Sequence, residues 1–113
     1  MDLQVTYERR YQDVLVPCAR NLEEILEGQV GKLPHVDRVS VRPKGIGSFL
    51  KKAQKVEDQQ PYYKDPLGQI QDQIGARIIV FYTSDIAPMT DRILRYHRPI
   101  EIAVKEPETE AEF

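Results

Sequence analysis

Apolar side chains recur at Tyr11, Val14, Leu15, Cys18, Leu22, Ile25 and Leu26, at intervals of three and four. That spacing marks one face of an amphipathic helix. Pro17 falls inside the pattern, which predicts a kink there or two shorter helices meeting at that point. Cys18 lies on the apolar stripe and is expected in the core. Gly28, Gly31 and Pro34 end the helical stretch. From Val36 to Lys44 the pattern changes period. Val39 and Val41 alternate with Ser40, Arg42 and Lys44, as in a strand with one apolar and one cationic face. Pro43, lacking an N–H, belongs at a sheet edge or a strand exit. Gly45 and Gly47 open a turn into a short helix over 46–55, residues 56–66 read as a flexible polar loop, and Leu67 to Ile74 as a short helix or turn.

The run from Ala76 to Tyr82 is the most apolar in the chain and is β-branched, so it reads as a central strand buried on both faces. Thr83, Ser84 or Asp85 then caps a helix with apolar face Ile86, Met89, Ile93 and Leu94, and Pro88 sits in its first turn. Ile100, Ile102 and Val104 alternate with Glu101 and Lys105, which predicts a third strand. The order α, β, α, loop, β, α, β gives an α/β (α+β) fold, a small mixed sheet flanked by helices.

At 113 residues, with 41% apolar and 30% charged, the chain has room for one soluble domain. Met1-Asp2-Leu3-Gln4 shows no basic stretch leading into an apolar core, and no apolar run is long enough to span a bilayer. With one cysteine and no internal disulfide, a cytoplasmic setting is expected, with no membrane or DNA partner. The net charge of −2 hides an uneven distribution. Arg38, Arg42, Lys44, Lys51, Lys52 and Lys55 occur without an intervening acid, whereas Glu106, Glu108, Glu110 and Glu112 form an acidic tail. An anionic ligand would meet the cationic stretch.

Arg42 and Lys44 are two apart on a strand, and Ser48 and Lys52 are four apart on the next helix, so each pair shares a face. Strand, glycine turn and helix start would aim these groups into one space suited to a polyphosphate. The structural alternative is a solvated basic edge. Asp72 precedes Gly75 and the apolar strand, where a carboxylate can hold Mg²⁺ together with substrate phosphates. Arg77 could reach the same phosphates, or simply pair with Asp72 to hold the turn. His35 and His97 are far apart with no cysteine nearby, which argues against zinc. Tyr62-Tyr63 could stack on a base or merely be exposed.

Taken together, Arg42-Pro43-Lys44-Gly-Ile-Gly-Ser48-Phe-Leu-Lys-Lys52 and Asp72-Gln-Ile-Gly75-Ala-Arg77 resemble the Arg-X-Lys/Ser/Lys and Asp-X-X-Gly-X-Arg motifs of RelA/SpoT-family alarmone synthetases. The resemblance covers residues 5–105, leaving 106–113 as the tail. It implies a nucleotidyltransferase-like fold and pyrophosphate transfer from ATP to the 3′-hydroxyl of GDP or GTP, the (p)ppGpp synthesis of the stringent response. In that setting Arg42, Lys44, Ser48 and Lys52 would hold the ATP phosphates. Asp72 would bind Mg²⁺, and Arg77 and Ser48 would act at the transferred group. The family continues with a glycine–tyrosine loop ending in a histidine and with a Glu-X-Gln strand. Here Glu101-Ile-Ala lacks the glutamine, and Tyr96-His97 falls at a helix end. The resemblance therefore implies a truncated domain without its acceptor half, with an exposed sheet edge and a tendency to form homo-oligomers. A non-catalytic nucleotide-binding or assembly fragment of the family is the alternative reading. RNA binding through the basic segment is a third, unsupported by any RNA-binding module pattern.

Overall fold

A computed structural model describes residues 2–99 and 102. The chain is helical from residue 3 to 31. Helix α1 (Leu3–Arg10) passes through a π-helical turn (Tyr11–Leu15) into α2 (Val16–Leu26), and a second π-helical turn (Glu27–Gly31) ends the stretch. The first π turn answers the question posed by Pro17. A proline in an α-helix clashes with the carbonyl four residues back and removes a donor. Here the Val16 N–H bonds to the Tyr11 carbonyl five residues back, widening the helix just ahead of Pro17 at the start of α2.

The widening also changes which residues face inward. Tyr7, Leu15, Ala19, Leu26 and Val30 are buried, and Tyr11 and Leu22 are partly buried. Their steps are of four residues with a single step of three, longer than an α-helical stripe. Cys18, expected in the core, is exposed, and Val14 and Ile25 are exposed as well.

Strand β1 (Val36–Pro43) follows, then α3 (Ile46–Ala53), β2 (Val56–Glu57), β3 (Gln60–Pro61), α4 (Pro66–Gln69), β4 (Ile74–Val80), a 3₁₀ turn (Thr83–Asp85) and α5 (Ile86–Tyr96). The architecture is α+β. In place of the expected mixed sheet, the described residues form two antiparallel two-stranded sheets, β1–β4 and β2–β3. The β2–β3 hairpin lies where a flexible loop was expected; Asp58 and Gln59 both take positive φ, as a tight two-residue hairpin turn requires. The expected third strand over 100–104 and the acidic tail lie outside the described residues, Ile102 alone excepted.

The most apolar strand is not central. β4 pairs with β1 in the register Val39↔Ile78, Val41↔Ala76 and Pro43↔Ile74, and none of its residues is fully buried. Val39 and Val41 on one sheet face pack with Ala19, Leu26 and Val30, and α5 adds Met89 and Ile93. The opposite face carries Arg38, Arg42, Gly75 and Arg77 exposed to solvent, with Ser40 and Ile79 half-buried among them. Among the described residues helices pack on one side only, so the strand's run of apolar residues has no second layer there to bury it. One edge of β1 is nevertheless covered, because the Glu23 carboxylate of α2 accepts a 2.8 Å hydrogen bond from the Val41 N–H.

A second core cluster joins Tyr7 and Leu15 to Phe49 of α3 and Ile70, and Ile74 packs against both clusters. His35 pairs with Asp85 at 3.2 Å, and His97 with Gln29 at 2.7 Å, so both histidines tie α5 to the rest of the chain. No helix among the described residues is long and apolar enough to cross a membrane.

Candidate functional site

The antiparallel pairing brings the exit of β1 beside the entrance of β4. Past Pro43 the pairing continues for one more step, the Lys44 N–H donating to the Gln73 carbonyl at 2.7 Å. The residue before Gln73 is Asp72. Its Oδ2 lies 3.2 Å from the Lys44 ammonium and its Oδ1 3.2 Å from that of Lys52. One carboxylate thus holds two lysines, one at a strand exit and one on the last turns of α3.

The backbone beneath this clasp is held from several sides. Tyr7, fully buried in α1, stacks on Phe49 with ring centroids 3.8 Å apart and planes within 4°. Its hydroxyl donates a 2.7 Å hydrogen bond to the Lys44 carbonyl. Burial pushes the Tyr7 phenol up, and Arg10 offsets only part of that, so the hydroxyl stays a donor. Gln73 is buried and satisfied on both ends. Its amide N–H groups bond to the carbonyls of Leu67 and Ile70, and its oxygen accepts 2.6 Å from Arg10 Nε. A buried amide left unpaired would cost about 1–3 kcal/mol, which explains why α1, α4 and β4 meet around it.

Partial burial raises the Asp72 carboxyl, but the hydrogen bonds and charges of Lys44 and Lys52 together outweigh it and hold the group below its ordinary range. Asp72 is half-exposed, its side chain 48% accessible, so the clasp faces solvent.

Arg42 stands opposite Gly75 and Arg77 opposite Ser40 on the open sheet face. At the strand rise, Arg42 lies about 7 Å along β1 from Lys44, and the Ser40–Arg77 pair about as far again. A Cβ added at Gly75 would meet nothing within 4 Å, so the surface between the two arginines is bare. Ser48 is exposed in the first turn of α3, about 6 Å along the axis from Lys52. The N-cap of that helix is Gly45, which has no side chain to cap it, and among the described residues no side chain bonds to its first-turn amides.

The structure therefore brings Lys44, Lys52 and Asp72 into contact and sets Arg42 and Arg77 on the adjoining sheet face. The alternative Asp72–Arg77 pair does not form; both Asp72 oxygens go to lysines. Tyr62 and Tyr63 meet edge to face at 4.8 Å, and Lys55 lies 4.2 Å over the Tyr62 ring. Sequence reasoning missed Tyr7, Arg10 and Gln73. Tyr7 extends the helical stripe one turn before Tyr11 and was legible in principle; nothing local to Gln73 marks it as buried.

As a metal centre the residues offer one hard carboxylate. Among the described residues no three His, Cys, Asp or Glu side chains gather into a metal cage. That donor set fits a Mg²⁺ ion carried in on a polyphosphate, which supplies most of its own ligands. Comparison with protein-family models, with curated proteins and with solved structures finds no match to this chain.

Proposed function

We propose that this chain carries the donor-nucleotide site of a RelA/SpoT-like pyrophosphokinase, on a nucleotidyltransferase-like fold. The observation that carries the reading is the meeting of Lys44, Lys52 and Asp72 from segments 28 and 20 residues apart, which are the positions of the two motifs. Lys44 and Lys52 would meet the ATP phosphates as point charges, and Arg42 and Arg77 as planar forks on the sheet face. Ser48 and the free first-turn amides of α3 would add neutral donors at the helix start. Mg²⁺ on Asp72 would supply further neutralisation of the phosphates. In a transfer to the 3′-hydroxyl of GDP or GTP, these cations would stabilise charge as the bond to the leaving AMP breaks.

A second reading, nucleotide binding without transfer, draws on the single carboxylate at the site among the described residues. Calorimetry with Mg²⁺-ATP tests the donor site directly. Binding is expected in the wild type and lost in Arg42→Ala/Lys44→Ala. Absence of binding in a folded wild-type chain would overturn the proposal. Binding accompanied by no pyrophosphate transfer to GDP or GTP would leave the second reading in its place.

A further inference from the structure

We propose that Asp72 acts as an internal counter-ion that competes with the incoming anion, so that the site takes a polyphosphate without any divalent cation by exchanging the carboxylate for phosphate oxygens on Lys44 and Lys52. This deepens the donor-site reading and rests on it only for the class of ligand.

The geometry carries the argument. Each carboxylate oxygen faces a different ammonium, Oδ2 to Lys44 and Oδ1 to Lys52, both at 3.2 Å. A phosphate group presents oxygens with similar spacing and the same acceptor chemistry, so it would fit the positions that the carboxylate now fills. Lys44 is held by its backbone from both sides, through the Tyr7 hydroxyl and the Gln73 carbonyl, and Lys52 is carried on α3, itself anchored by Phe49. The backbones that carry both lysines are thus positioned by the fold without Asp72, and the two ammonium groups need only exchange one acceptor for another. Asp72 itself is half-exposed, so water can solvate its carboxylate once a phosphate takes its place.

Charge points the same way. The clasp sums to one positive charge from two lysines and one carboxylate, and Arg42 and Arg77 stand on the adjoining sheet face. A free divalent cation approaching alone would have to displace two ammonium groups in a net-positive field, whereas an anion is drawn in. The anion therefore enters first, and any cation comes with it.

The test is calorimetry in a two-by-two design, wild type against Asp72→Asn, with tripolyphosphate in EDTA and with ATP in Mg²⁺. In EDTA the wild type should bind tripolyphosphate, and Asp72→Asn should tighten that binding about three- to tenfold, as expected for release of two exposed charge-assisted bonds. A double-mutant cycle separates the clasp from the mere loss of a negative charge. In a Lys52→Gln background the gain from Asp72→Asn should shrink, because one of the two bonds is already gone. Unchanged or weaker binding by Asp72→Asn in EDTA would overturn the inference, as would an equal gain in both backgrounds. Circular dichroism on each variant establishes that the chain is folded. The Mg²⁺ arm bears on the metal role alone: weaker ATP binding by Asp72→Asn there supports Asp72 as a metal ligand. Failure in that arm with success in EDTA would remove the metal and keep the anion exchange.

Discussion

The hydroxyl of Tyr7 offers the sharpest test of how the site is built. Tyr7→Phe keeps the ring stacked on Phe49 and deletes one atom, the donor to the Lys44 carbonyl at 2.7 Å. A net intramolecular hydrogen bond contributes about 1 kcal/mol, and a carbonyl left without its partner adds to the loss where water cannot reach it. Lys44 is only partly buried, so water replaces part of the bond and the expected cost is about 1–2 kcal/mol. For a domain near this size each kcal/mol lowers the melting temperature by roughly 4–8 °C. Tyr7→Ala, which empties a fully buried ring position, should cost about 3–5 kcal/mol. Urea denaturation of the three chains gives the ranking, and an unchanged slope establishes that stability alone has moved. The site should respond as well. With the Lys44 backbone less firmly held, the Asp72 carboxyl should titrate closer to its ordinary range in Tyr7→Phe, as read by carboxyl NMR. A Tyr7→Phe chain within about 0.5 kcal/mol of wild type and with the same Asp72 titration would refute the claim that this hydroxyl positions Lys44.

Two other outcomes are expected. The Asp72 carboxyl is depressed in the folded chain, so the clasp's contribution is present above the unfolded carboxyl range and is lost as pH falls through the lower folded value. Lys52→Ala should therefore move the Asp72 titration upward in NMR, and no movement would mean that Lys52 does not hold it. In the β2–β3 hairpin, Asp58→Asn with Gln59→Gly puts residues that favour positive φ at angles of 54° and 63°. The Tyr62 amide, bonded to the Lys55 carbonyl at 2.8 Å, should then exchange about two- to fivefold more slowly. Faster exchange would show that the turn does not limit opening.

Much of the element order was legible from local pattern. The period-two run over Val39 and Val41 is a strand with an arginine-bearing solvent face, and the spacing of Ile86, Met89, Ile93 and Leu94 is a helix, of which Met89 and Ile93 meet the core while Leu94 is exposed. These readings hold because each depends on side chains only a few residues apart. Ser48 and Lys52 likewise share a helix, and their relation needs no tertiary information.

What local pattern could not reach was decided by packing. Whether Ala76–Tyr82 is central or peripheral depends on which layers cover it, and the described residues supply helices on only one face of β4. Cys18 reads as a core position on an α-helical stripe, but a π turn ahead of Pro17 rotates the following residues and leaves it in solvent. The partner of Asp72 was equally beyond reach, with Arg77 near in sequence and two lysines 28 and 20 residues away. An antiparallel crossing places the exit of β1 against the entrance of β4, and that crossing decides the pairing. By itself the sequence determined which cationic and hydroxyl side chains share a strand or helix face and where along each element they lie. The tertiary structure decided which of them meet, because contact between distant segments follows from strand register and from buried groups such as Tyr7 and Gln73, whose bonds must be satisfied across elements.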